Sequence, residues 1–352
     1  MKPLFSVVVS CYRSAPWLPQ ALESVAAQTF RDFEAICYVE ESPDDSLRIC
    51  EDMARRDPRF RAVSAPKSGS CSETRNYGAA RAAGEYVVSA DGDDWLDPRL
   101  LEKLAAKLEK TGPVDVLAYA GASVEEGGSA KAAPARISNF TAQDDADGVF
   151  SGVSAIRRAG RHGGRFHAFT WLFACRTEFL RASGVRWKTG ALMQDEECTP
   201  RIWFRAGKFA YLDEVLYFYR RRKSSATTES SSRFLFDLVE HVRSLQEFAD
   251  ANDVPRDVLR TWADRWVSVF YWFAFHPVSS RKVPDSDRLR AIRRLFRDGG
   301  LARFARTVRL ASLPKRAAFP LVVLAASGWF FPARFFFRRV FYPAVGRRSG
   351  KS

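Results

Sequence analysis

Over the first 120 residues, short unbroken apolar runs alternate with stretches whose apolar residues recur every three or four positions. Phe5–Val9 (FSVVV) is continuous hydrophobic chain, the pattern of a strand buried on both faces. Trp17, Leu18, Ala21, Leu22 and Val25 follow with helical spacing and predict a helix over Trp17–Gln28. Phe33–Val39 predicts a second strand, Ser46–Arg56 a helix stopped by Asp57-Pro58, and Phe60–Val63 a short strand. Ser72–Ala83 predicts a helix with Ser72 as its N-cap and Gly84 as its stop. Glu85–Ala90 (EYVVSA), Pro98–Lys110 and Val114–Ala120 continue as strand, helix and strand. This β-α-β-α order predicts an α/β fold, a parallel sheet with helices on both faces.

Gly121–Asp147 is rich in Gly, Ala, Ser and Asp and predicts a mobile surface loop. Order returns at Phe166–Leu180. Asp195–Ala206 predicts a helix, Lys208–Leu212 and Val215–Arg220 two strands, and Arg220–Ser225 a basic loop. From Phe234 to Arg309 the spacing is helical, with Trp262, Trp266, Phe270, Trp272 and Phe273 as a packing stripe. No internal repeat interrupts the pattern. The expected organisation is an α/β domain over 1–225, a helical extension over 226–312 and a basic tail over 313–352.

A chain of 352 residues with 46% hydrophobic and 13% aromatic content can bury a large core, which excludes disorder and a disulfide-stapled miniprotein. Its six Cys and four His are dispersed without a CxxC pair or a Cys–His cluster, so reduced thiols in a cytosolic compartment are expected and structural zinc is not. The opening Met1-Lys2-Pro3-Leu4 runs directly into a strand and predicts no secretory signal. Net charge is +14, but Leu301–Ser352 holds eleven Lys/Arg and no Asp or Glu, leaving 44 basic against 41 acidic residues in the first 300. Ala317–Ala333 carries no charge, is punctuated by Pro320 and Pro332, and falls short of the ~20 apolar residues of a spanning helix. With Phe335–Phe337 and Phe341-Tyr342 beside Arg334, Arg338 and Arg339, residues 313–352 are expected to lie on an anionic membrane surface, peripheral to its cytoplasmic face. Long aliphatic runs have no use in a nucleic-acid-binding tail, so no nucleic-acid partner is expected.

Some motifs are accidental. No G-x-G-x-x-G follows a strand. Gly346–Ser352 (GRRSGKS) is one residue short of a phosphate-binding loop and has no helix behind it, and Asn139-Phe140-Thr141 is a formal glycosylation sequon.

The candidate chemistry starts where strand Glu85–Ala90 runs into Asp91-Gly92-Asp93-Asp94-Trp95. Carboxylates this close repel unless a cation lies between them, and hard oxygen ligands favour Mg²⁺ or Mn²⁺ held with a substrate diphosphate. The carboxyl end of a parallel strand is also where open α/β sheets bind ligands. Ser70–Gly78 (SCSETRNYG) opens a helix with Arg75 in its first turn, an anion-binding combination. Ser10-Cys11-Tyr12-Arg13 follows the first strand, where Tyr12 can stack on a planar base.

In this order, over about residues 4–225, these blocks resemble the family 2 glycosyltransferases, the GT-A fold enzymes of bacterial polysaccharide and glycan synthesis. The resemblance rests on SVVVSCYRSAPWLPQALESVAAQTFRDFE, EESPDDS, SGSCSETRNYGAARAAGEYV, SADGDDWLDPRLLEKL and LMQDEECTPRIWFRAGKFAYLDEVLYFYR. It implies a mostly parallel GT-A sheet, and a metal-dependent inverting transfer of sugar from a nucleotide-diphosphate donor, most simply a UDP-sugar, to a hydroxyl of a glycan or lipid-linked acceptor. It implies that Ser10, Tyr12 and Glu40 contact the nucleoside, Arg75 the diphosphate, and Arg220 the nucleotide from a YR-containing loop. It implies that Asp91 and Asp93 form the DxD metal pair, with Asp93 the direct ligand and Asp94 in support. Asp195 takes the place of the catalytic base, with Gln194 and Trp171 on the acceptor side. The chain departs from the family pattern in reading Glu40-Glu41-Ser42-Pro43 for Asp-Asp-Gly-Ser, and Gln194-Asp195 for Glu-Asp. A nucleotidyltransferase would share the sheet, the metal and the nucleotide, but calls for a Gly-rich basic loop where this chain has SCYRSAPW. A catalytically impaired sugar-nucleotide-binding scaffold at the membrane stays open, because of those two departures.

Overall fold

A computed structural model describes residues 2–126, 134–161, 166–222, 231–275 and 283–297. The chain forms two compact units, Met1–Arg158 with His167–Arg222, and Ala159–Phe166 with Lys223–Ser352.

The first unit is built on β1 (Phe5–Cys11), α1 (Leu18–Ala26), β2 (Phe33–Glu40), α2 (Ser46–Arg56), β3 (Phe60–Ala65), α3 (Ser72–Arg81), β4 (Tyr86–Asp91), β5 (Trp95–Leu96) and α4 (Leu100–Thr111). It continues through β6 (Val116–Glu125), β7 (Ala135–Ile137), α5 (Ala142–Ala146), β8 (Val149–Phe150) and α6 (Gly152–Arg161). A 3-10 turn at Thr170–Leu172, β9 (Phe173–Arg176), α7 (Thr177–Ala182), α8 (Asp195–Arg205) and β10 (Phe209–Arg221) follow.

The sheet order is β3-β2-β1-β4-β9-β6-β10-β5, with β7 on β6 and β8 on β10. The β1–β4 strands are mutually parallel and β10 is parallel to β6; β9 runs antiparallel between β4 and β6. The mostly parallel α/β sheet expected from the alternation is therefore present. β1 is buried along nearly its whole length, as its unbroken apolar run requires. α1 buries Leu18, Ala21, Leu22 and Val25, the residues that gave its periodicity, and α4 buries Leu100, Leu101, Leu104 and Ala105.

Four expectations need correction. Gly121–Asp147 is not one loop: β6 runs on to Glu125, and β7 and α5 lie within the stretch, while 127–133 is outside the described residues. Small residues such as Gly121 and Ala122 disguise the strand, yet β10 pairs along it through Arg221↔Glu125. The two expected strands at Lys208–Leu212 and Val215–Arg220 are one, β10, whose register shifts at Leu212/Val215 mark the irregularity that split the pattern. It carries Arg220 and Arg221, the start of the expected basic loop. Ser72 is not an N-cap: Cys71 precedes the helix, and the Ser72 hydroxyl donates to the Lys188 carbonyl at 2.8 Å. The cysteines are not all dispersed either, since Cys11 and Cys50 Sγ lie 3.8 Å apart in the core. Asn139 of the formal sequon is buried and exchanges hydrogen bonds with the His167 backbone, a structural use of its amide.

In the second unit, α9 (Ser232–Ala251), α10 (Arg256–Phe275) and α11 (Asp285–Arg297) bear out helical spacing over the described part of Phe234–Arg309. Leu235, Leu238 and Leu245 of α9, Trp262 and Trp266 of α10 and Ile292 of α11 are buried, but Trp272 of the expected stripe is 44% exposed. The tail over 313–352 and the GRRSGKS sequence lie outside the described residues.

Candidate active site

The chain lays β2 and β3 on one side of β1 and then crosses to place β4 on the other. At such a switch point the connections leave in opposite directions and open a crevice at the carboxyl ends of the strands. Ser10 of β1 pairs with Asp91 of β4 at this edge. The Gly92 N–H donates to the Ser10 carbonyl at 2.9 Å, and a Cβ on Gly92 would stand 2.9 Å from that oxygen and 3.0 Å from Ser14 Oγ. Glycine is required for the Asp91–Asp94 turn to lie this close to the loop after β1.

The three carboxylates of the turn have different surroundings. Asp94 is buried and accepts from the Tyr217 hydroxyl at 2.7 Å and the Arg220 N–H at 2.8 Å. Burial, with the Asp93 and Asp91 charges adding to it, pushes its carboxyl well above the usual range. Asp94 thus tethers the turn to β10. Burial also raises Asp91, to about 6, against the help of Arg75; Asp93 and Asp195 raise it further, and a hydrogen bond from Ser10 opposes them. Asp93 forms an ion pair with Arg222, whose guanidinium lies 4.2 Å over Trp17. Arg220 closes the same corner: its Nε donates to the Asp93 carbonyl at 2.8 Å, one Nη to Gln20 Oε1 at 2.6 Å, and its guanidinium lies 4.8 Å over Trp95.

Arg75, buried in α3, donates to Asp195 Oδ1. Burial works against the Arg75 charge, but the Asp195 carboxylate and its neighbours hold the guanidinium firmly protonated. The Thr170 hydroxyl donates to the same Oδ1 at 2.9 Å, and its N–H reaches Oδ2 at 3.4 Å. Asp195 is the first residue of α8, where a carboxylate also favours the helix dipole. Gln194, buried just before it, donates its amide to Cys71 Sγ at 2.9 Å.

Tyr12 and Glu40 meet a shared loop. Lys67 Nζ lies 5.0 Å over the Tyr12 ring, and Glu40 accepts from the Ser68 N–H at 3.1 Å and the Gly69 N–H at 3.3 Å. Gly69 is in the left-handed region at φ 83°, which lets this loop fold back over the carboxylate. The altered segment after Glu40 is itself structured: Ser42 and Asp44 accept from the Arg13 and Ala15 N–H groups at 2.9 and 3.0 Å, fastening it to the loop after β1.

Trp171 is only 4% exposed. It lies flat in a stack, 4.9 Å from Phe169 and 4.5 Å from Tyr217 by ring centroids, so it is a buried support and not a surface platform. The structure thus gathers Ser10, Arg75, Asp91, Asp93, Arg220 and Asp195 around one sheet edge, with Tyr12 and Glu40 sharing a loop beside it. Sequence reasoning missed Thr170 and Tyr217. Tyr217 was discoverable as an aromatic three residues before Arg220 in a strand; Thr170 carries no local signal.

Among the described residues no three His, Cys, Asp or Glu side chains are arranged to hold a metal by themselves. With Asp94 consumed, the turn offers Asp91 and Asp93. Two carboxylates whose charges oppose each other fit a hard cation that takes its remaining oxygens from a diphosphate.

Residues 6–168 match the family model described as glycosyl transferase family 2. The chain is 28% identical over 222 residues to the uncharacterized glycosyltransferase EpsJ of Bacillus subtilis, covering 62% of each chain. It is 24% identical over 256 residues to the glycosyltransferase GlyG of Streptococcus pneumoniae, covering 68% of this chain and 78% of GlyG. The solved structure of S. aureus TarS residues 1–349 in complex with UDP-GlcNAc superposes with a TM-score of 0.69 at 17% identity, over 96% of this chain and 92% of that one. That likeness shows the fold: a mixed α/β architecture of the GT-A type, built on a mostly parallel sheet. The match places a glycosyl transferase family 2 domain in residues 6–168, just under half of the chain.

Proposed function

We propose that this glycosyltransferase transfers sugar from a UDP-linked donor to a hydroxyl of a glycan or lipid-linked acceptor in one inverting displacement. The observation that carries the reading is the meeting of the Asp91–Asp93 pair, Arg75 and Asp195 at the switch-point crevice. Asp93, with Asp91, would hold Mg²⁺ or Mn²⁺, which when bound supplies positive charge against the departing diphosphate. The chain's own residues do the rest. Ser10, Tyr12 and Glu40 orient the nucleoside, with the 67–69 loop as its wall. Arg220 holds the diphosphate side through the turn it braces, and Arg75 adds positive charge where negative charge grows on the leaving group. Asp195 takes the acceptor proton. Gln194 and Trp171 serve the acceptor side, Trp171 as backing for the partly exposed Phe169.

The test is a thermal-shift and calorimetry panel of nucleotide sugars with Mn²⁺. A UDP-sugar is expected to raise the melting temperature, because a ligand that binds only the folded state stabilises it. Asp93→Ala is expected to abolish the Mn²⁺-dependent part of donor binding. Silence toward every nucleotide sugar would overturn the reading.

We further propose that residues 313–352 bring this site to a lipid-linked acceptor at the cytoplasmic face of a membrane. The support is their run of aromatic and basic residues. Among the described residues, no helix is long and apolar enough to cross a membrane. Deleting residues 315–352 should move the protein to the soluble fraction; persistent sedimentation with membranes would remove the tail from this role.

A further inference from the structure

The two oxygens of Asp195 are not equivalent. Oδ1 accepts from both the Arg75 guanidinium and the Thr170 hydroxyl, the latter at 2.9 Å. Oδ2 receives, among the described residues, only the Thr170 N–H at 3.4 Å, a long contact that leaves its lone pairs available. Arg75 and Thr170 reach Asp195 from different elements, α3 and the turn before β9, and both are buried, at 6% and 3% exposure. Asp195 keeps 16% of its side chain exposed. The carboxylate is therefore held mainly through Oδ1, while Oδ2 has, among the described residues, no short hydrogen bond.

Resting on the reading of Asp195 as the base, we propose that Thr170 is its positioning residue. Thr170 and Arg75 saturate Oδ1 and so assign proton abstraction to Oδ2. In the step this implies, the acceptor O–H bond breaks and its proton passes to Oδ2. The oxygen's freed electron pair forms the new bond to the anomeric carbon. The bond from that carbon to the diphosphate oxygen breaks, and its pair leaves with the diphosphate. Arg75 alone does not define the orientation, because one ion-pair contact to Oδ1 leaves the carboxylate free to turn about its χ2 bond. The Thr170 backbone and side chain, bonded to both oxygens, remove that freedom. A base displaced by an ångström loses much of its effectiveness, since proximity and alignment supply a large share of the rate.

Threonine is suited to a clean test. Thr170 lines a small internal space with Arg75, Val87, Phe173 and Trp187. Thr170→Val keeps that shape and removes the hydroxyl, whereas Thr170→Ser keeps the hydroxyl and removes the methyl. A hydrogen bond to a charged group corresponds to roughly 10- to 100-fold in an equilibrium or rate. Thr170→Val is accordingly expected to lower kcat by about tenfold or more, with donor affinity by calorimetry changed less than about twofold, and Thr170→Ser to restore kcat to within about threefold. In an Asp195→Asn background, Thr170→Val should cost nothing further, because the group it positions is gone. Should the valine variant fold poorly, Thr170→Ala and Thr170→Ser compared at equal folded fraction give the same contrast.

Unchanged kcat in Thr170→Val, failure of serine to restore it, or a full additive loss in the double variant would each overturn the proposal. The parent reading fails separately: a fully active Asp195→Asn removes the base itself. An inactive Asp195→Asn beside a fully active Thr170→Val removes only the role of Thr170.

Discussion

Two arginine–carboxylate pairs stand at the site, and they are built differently. Arg75–Asp195 joins the interior of α3 to the start of α8, with the arginine side chain 4% exposed and the acid further held by Thr170. Arg222–Asp93 joins the residue just past β10 to the turn after β4, with both side chains partly exposed, at 16% and 18%, and the guanidinium resting on Trp17. The first is part of the architecture. The second engages one oxygen of the carboxylate that is proposed to take a metal ion, so it competes with that ion for the acid. Like chemistry is thus used once as a fixed brace and once as a competing contact.

The largest expected effect tests the fixed pair through its acid. Asp195→Asn is isosteric and should keep donor binding while lowering kcat by about 10²–10⁴-fold, the range for loss of a general base. Steady-state kinetics beside calorimetry would separate the two, and loss of donor binding alone would break the assignment. Next is its base partner. Arg75→Met leaves a largely buried Asp195 carboxylate without its counter-charge, which should cost about 3 kcal/mol in urea unfolding. A change below about 1 kcal/mol would show the brace to be no more than a surface pair. The smallest effect belongs to the competing contact. Arg222→Met should shift stability by less than Arg75→Met does, because only Arg75 is almost wholly buried, at 4% against 16% exposure. It should also strengthen Mn²⁺ binding several-fold, because a competing internal partner lowers the population able to bind. Weaker Mn²⁺ binding would place Arg222 among the residues that help hold the ion and its ligand, and the contrast between the pairs would have to be redrawn.

Much of this was legible in the chain. FSVVV and EYVVSA could only be buried strands, and the helical spacing of α1, α2 and α4 located them to within a few residues. The acidic turn, Arg75 and Asp195 were visible as residue types at the ends of such elements. What escaped is what depends on distance in space. Thr170 is 25 residues from Asp195 and is an ordinary polar residue in an aromatic stretch. Asp94 was expected only to support the metal pair, and what it binds instead, the hydroxyl of Tyr217 123 residues away, had no local signal. Trp171 was expected on the acceptor side, and its burial was not readable because it is decided by Phe169 and Tyr217, one of them on a distant strand. Only the part of β6 beyond Ala120 was concealed, by small residues such as Gly121, whose size lets Trp171 approach: a Cβ there would stand 2.7 Å from the indole ring.

The Asp94 tether has a practical meaning for anyone recombining such enzymes. The Asp91–Asp94 turn and the Tyr217–Arg220 segment form one module split across the gene, since the hydroxyl of Tyr217 and the N–H of Arg220 both end on the same buried acid. A chimaera with a crossover between them, drawing the second half from a parent without a tyrosine at position 217, would inherit a buried acid without its hydroxyl donor. Crossovers placed outside 91–220 would transfer the module whole.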